Sequence, residues 1–152
     1  MSLANMISAV GVILAAIPGV GSKVHGYERW ASDEAKFKEL FVADGKVLGW
    51  TITREATSSV DHVGGASMDT HALVIRGYYS LDDSANTEKT FQDLVEAIRS
   101  GFNPNRRLNP GTGSTAHTSD RIQVRRVEHR MFAGVLVHYC ELVLMASEVV
   151  AA

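Results

Sequence analysis

Apolar residues along this chain change their spacing several times, and each change marks an expected element. From Thr70 to Phe102 the run T-H-A-L-V-I-R-G-Y-Y-S gives way to a polar L-D-D-S and then to a helical stripe. Leu73, Val74, Ile75, Tyr78 and Tyr79 make a dense β-branched and aromatic stretch, which suits a pleated, half-buried surface and predicts a strand. Phe91, Leu94, Val95, Ile98 and Phe102 then recur at helical spacing, with Glu88, Lys89, Asp93, Glu96 and Arg99 largely off their stripe. Asp82, Asp83 and Ser84 offer side-chain oxygens to the free amides of the helix start, and Gly101 marks its expected stop.

The same reading extends in both directions. Leu3, Ile7, Val10 and Leu14 keep helical spacing and predict a helix over about 3–16, ending before Pro18. Pro18-Gly19-Val20-Gly21 is a turn; it follows a helix and lacks a Gly-Lys-Ser/Thr ending, so it is not a phosphate-binding loop. Residues 23–27 suit a short strand. Ser32, followed by Asp33 and Glu34, reads as the N-cap of a short helix whose contacts are Ala35, Phe37, Leu40 and Phe41. Asp44-Gly45 then turns into a strand over 46–56, where Trp50, Ile52 and either Val47 or Leu48 take the inner face. Residues 57–69, rich in Ser and Gly, read as a flexible hairpin arm or loop. Residues 103–120 hold two prolines and form a long loop of the kind that is functional or disordered. Two long strands, 121–132 and 135–146, are joined tightly at Ala133-Gly134.

The predicted fold is α+β. It is one domain spanning 1–152, with a mixed or mainly antiparallel sheet, two or three packing helices and a long C-terminal β-hairpin. A chain of 152 residues has room for a real core, and 45% hydrophobic against 21% charged residues argues against disorder. The formal net charge of -2 hides an asymmetry. Residues 28–96 carry thirteen acidic and seven basic side chains, whereas 99–130 carry seven arginines against two acids. Such a chain can meet copies of itself, or an anion, through opposite faces. Cys140 is the one cysteine, so no disulfide framework exists, and its apolar strand setting predicts a buried, inert thiol. The apolar run 6–17 has no basic residue before it and is too short to span a bilayer. A soluble, cytoplasmically made protein without a membrane partner is expected.

Few constellations carry chemistry. A two-residue hairpin loop at Ala133-Gly134 puts His129 opposite His138, Arg126 opposite Glu141 and Val127 opposite Cys140. The two histidines with Cys140 nearby suggest a metal site and hence a small metal-dependent enzyme. A fourth ligand is missing, however, and Val127, Met131, Leu136 and Leu142 share that face, which favours a core or interface role. Asp82 and Asp83 are adjacent and point to different sides, so helix capping explains them better than paired-carboxylate catalysis. Serine-hydrolase and His-Glu-x-x-His motifs are absent from the sequence. The arginines suit sequence-independent phosphate attraction or intersubunit ion pairs, without a recognition helix for DNA. A dedicated active site is therefore not visible in the sequence.

Four stretches, taken together, resemble the tail-terminator (tail-completion) proteins of long-tailed bacteriophages. They are I-P-G-V-G-S-K-V-H-G-Y-E-R-W from Ile17, W-T-I-T-R from Trp50, V-I-R-G-Y-Y-S-L-D-D from Val74 and V-E-H-R-M-F-A-G-V-L-V-H-Y-C-E-L from Val127. The resemblance implies a homohexameric ring on the head-proximal end of the tail tube, which stops tube growth and joins the tail to the neck, and it implies no enzymatic activity and no cofactor. It implies a virion location after assembly in the host cytoplasm, with the tail tube protein and a neck or connector protein as partners and genomic DNA close by. The rival structural reading is a neck or head–tail adaptor ring. For a ring, Arg125, Arg126 or Arg130 would reach a neighbour's Asp82, Asp83 or Glu88, and Arg106 and Arg107 would face the DNA channel.

Overall fold

The computed structural model describes residues 3–27, 34–43, 46–108, 114–132 and 134–151. In chain order the elements are α1 (Leu3–Ala15), β1 (Val24–His25), α2 (Glu34–Phe41), β2 (Val42–Ala43), β3 (Lys46–Asp61), β4 (Ser67–Ser80), α3 (Thr87–Phe102), β5 (His117–Thr118), β6 (Gln123–Phe132) and β7 (Val135–Val150). The fold is α+β, as the spacing predicts. Its centre is an antiparallel sheet with β3, β4, β7 and β6 side by side. β1 adds in parallel to β3, and the short β2 and β5 pair with the near part of β3 and the far part of β7.

Alternation along the strands gives the sheet two apolar faces. One lies under α1 and α3, where Met6, Val10, Leu14, Phe91 and Ile98 pack with Trp50, Ile52, Leu73, Ile75 and Leu142. The other lies under the end of α2, where Leu40 and Phe41 meet Val47, Tyr78, Val137 and Tyr139. Val47 and Leu48 therefore do not compete, since each serves a different face. Trp50 anchors the first face: its Nε1 donates to the Val20 carbonyl at 3.0 Å. Its ring occupies the space above its cross-strand partner Gly77, where a side chain would collide with it and with the Cys140 sulfur. That close approach is what a strand-interior glycine permits.

Several expected boundaries are corrected. Of the two readings of residues 57–69 the hairpin arm holds and the loop does not, and the strand expected to end at 56 continues, because β3 and β4 stay paired out to Asp61 opposite Ser67. The Gly64-Gly65 signal marks only the tip, where both glycines take positive φ and the His62 amide donates to the Ala66 carbonyl at 2.8 Å. From Arg54 to Gly65 every residue is exposed, so this ribbon is an arm. The strand portion from 54 to 61 spans roughly 25 Å, and β7 runs beside its partner β4 as far as Val150. Residues 103–120 are also less loop-like than expected. Leu108 and Ala116 are buried and joined by a backbone bond of 2.9 Å, and the Ser119 amide reaches the Met145 carbonyl at 2.9 Å.

The start and end of α3 differ as well. Asp82 and Ser84 do not cap it; Ser84 Oγ donates to Asp82 Oδ1 at 2.7 Å within a short 3-10 turn, and the helix begins at Thr87 after Asn86 in the left-handed region. Gly101 is inside α3, at the point where an added Cβ would come within 2.8 Å of Ile17. It permits close helix packing and is not a stop. The expected cap Ser32-Asp33 and the Asp44-Gly45 turn lie outside the described residues. Among the described residues no helix is long and apolar enough to cross a membrane.

Candidate functional site

The β6–β7 hairpin has the expected register, with His129 opposite His138, Val127 opposite Cys140 and Arg126 opposite Glu141. A bulge between Val124 and Arg126 then adds one residue. Adjacent strand residues normally face opposite ways, but a bulge re-aims one of them. Here Arg125 lies with its Nε 2.9 Å and Nη2 2.8 Å from Glu141 Oε1. Its Nη1 donates to Glu55 Oε2 at 2.6 Å. Glu55 sits at the bulge of β3, so one guanidinium ties β6 to β3 over the intervening strands.

Glu141 is the buried centre of this strip, 8% exposed. Its Oε2 accepts a 2.6 Å hydrogen bond from the Tyr139 hydroxyl. Burial disfavours its charge, but Tyr139 and Arg125 outweigh that and hold the carboxyl below the usual range. Alongside, Arg130 Nη2 donates to Glu128 Oε1 at 3.0 Å and its guanidinium lies 4.0 Å over the Tyr139 ring. Arg126 meets Glu128 more loosely, at 3.7 Å, with its side chain 52% exposed.

These placements separate the expected interface residues. Arg125 is engaged by two carboxylates of its own chain, and Arg126 is the most open of the three. Asp82 and Glu88 are exposed around the start of α3, on the helix-covered side of the sheet, whereas the arginine strip lies on the opposite side. The side chain of Asp83 is outside the described residues. Glu88 accepts from Gln92 Nε2 at 3.2 Å. Arg106 is half-buried and its carbonyl accepts the Thr118 amide at 2.7 Å, while Arg107 is exposed and bridges to His117. Both lie beside the far part of β7, on backbone tied to the sheet.

The two histidines line a hollow of about 260 Å³ with Lys89 and Glu88 of α3. His129 and His138 have ring centroids 5.2 Å apart. His138 is buried, its Nε2 is 2.8 Å from Thr87 Oγ1, and its ring stacks on Phe91. Burial, then the neighbouring His129, push its pKa down, against an opposing pull from Glu88. Cys140 is buried under Gly77, and burial pushes its thiol up to about 12. Among the described residues no three His, Cys, Asp or Glu side chains gather as metal ligands. Met131 and Leu136 are exposed, so that part of the face is open rather than core.

Sequence reading did not single out Glu55, Glu128 or Tyr139. Glu141 was legible through its pairing with Arg126, but Glu55 joins the strip only because of a bulge that no local signal announces. No protein-family model matches the chain, and no curated protein matches it either.

Proposed function

We propose that this chain is a structural subunit of a long-tailed phage, a tail terminator that forms a ring on the head-proximal end of the tail tube. The observation that carries the reading is the β3–β4 arm, whose β3 strand and tip are exposed from Arg54 to Gly65 and bear the exposed apolar side chains Val60 and Val63. An arm of this kind adds little to its own core and gains its stabilisation from a partner surface. Met131 and Leu136 expose a second apolar patch at the opposite end of the sheet. An exposed arm at one end and an open apolar patch at the other suit a subunit that makes contacts beyond its own fold, with neighbouring copies and with the tube or neck. The resemblance of the four sequence stretches supplies the specific assignment.

In the ring, Arg126 and Arg130 reach toward Asp82 and Glu88 of the next copy. Acids and arginines on opposite sides of one sheet favour a head-to-tail contact, which closes into a ring when the rotation allows. Arg106 and Arg107 face the DNA channel and attract phosphate without reading sequence. The test is to add gold-labelled chain to purified tail tubes. Label at one end, the end that later receives the head, is expected; label along the tube, or none, would refute the assignment.

A further inference from the structure

We infer that the tip of the β3–β4 arm docks into a groove between α3 and the start of β6 on a second copy of this chain. The inference deepens the ring reading and rests on it. The groove holds about 520 Å³ and continues into a smaller hollow of about 160 Å³. Its walls are mainly polar, Val95 and Ile122 lie buried at its base, and Val124 stands exposed at its rim. Arg99 and Arg121 form the basic wall. Glu96 holds one end of the Arg99 guanidinium at 3.0 Å, but the Arg99 Nε is buried without a hydrogen-bond partner. Arg121 makes no ion pair or side-chain hydrogen bond among the described residues.

The arm tip has the complementary chemistry. Val63 is 86% exposed, Val60 is close behind it, and Asp61 between them is exposed and has no ion pair among the described residues. Val63 against the exposed Val124 and Asp61 beside Arg121 would satisfy both surfaces at once. The tip cannot reach the groove of its own chain. Gln123, at the groove, pairs with Val143, whereas the tip lies beyond Val150, which pairs with Ser67. Seven residues of strand separate the two, on the order of 23 Å. The contact joins two different patches on neighbouring copies, so it propagates head to tail.

Paired cysteines test this directly, since Cys140 is buried. Val63→Cys and Val124→Cys in one chain should give a ladder of covalent oligomers under mild oxidation, and an equal mixture of the two single variants should give only dimers. Asp61→Arg and Arg121→Asp should each weaken association about three- to tenfold, most at low salt, with the double swap restoring it; these exposed positions should leave the thermal midpoint unchanged. Rings of normal mass without the Val63–Val124 cross-link would overturn the docking and leave the ring reading standing. Chains that stay monomeric on tubes of normal length would overturn both. Cross-links between Val63→Cys chains alone would also refute it, because they require a symmetric contact.

Discussion

Replacing Gly77 by alanine drives a methyl group into the Trp50 ring and the Cys140 sulfur. Overpacking of this kind costs about 1–3 kcal/mol, so denaturant unfolding should show a lower midpoint at an unchanged slope. Glu141→Gln should cost a similar amount, roughly 1–3 kcal/mol at neutral pH, because Arg125 and Tyr139 lose a charged partner. Its pH signature follows from the depressed carboxyl. That contribution is complete above the ordinary value of 4.5 and is lost as pH falls through the lower folded-state value. Glu141→Gln should therefore flatten the acid limb below about pH 4.5. His138 acts over a different window. Its pKa is lowered in the fold, so below the ordinary 6.5 the unfolded chain takes up the proton more readily and stability falls with pH. His138→Gln should remove that component, measured as Tm against pH from 7.5 downward.

At the scale of elements, the arm should be separable from the fold. Replacing residues 60–68 by Asn-Gly, between the paired Ser59 and Asp69, leaves a two-residue hairpin loop of a favoured type. Most of the segment is exposed and only Ser67 and Met68 pair with β7, so stability should fall by no more than about 1–2 kcal/mol, yet self-association should be lost; light scattering and thermal unfolding on one sample separate the two. The sequence made the long strands and α3 legible because each joins a strong apolar period to the right residue types. The hairpin register was legible too, since a tight Ala133-Gly134 turn leaves one pairing. What it hid was non-local. Thr57, Ser58 and Ser59 suit a loop as well as an arm, but they are held by a ladder to β4, whose partners in β7 lie 57 to 83 residues on. Asp82 and Ser84 look like caps, but they satisfy each other. Gly101 looks like a stop because nothing local reveals that Ile17 packs against it. The Arg125–Glu55 bridge needs two bulges at once, and neither leaves a pattern in the chain.

For the whole molecule, charge should steer assembly and apolar contact should hold it. Exposed ion pairs contribute about 0–1 kcal/mol each and weaken with salt. Arg126→Glu should slow ring formation most at low ionic strength, and Glu88→Lys on the same chain should partly restore it. Reversal of both Arg106 and Arg107 should leave rings intact, read by native mass. An Arg126→Glu chain that assembles normally at every salt concentration would rule out pairing through that residue. The most direct measurement is the length of tail tubes assembled in cells lacking this chain. A missing terminator leaves tube growth unregulated, so micrographs should show overlong tubes without heads, and supplying the chain should restore normal length. Tubes of normal, uniform length that still join to heads would contradict the terminator role.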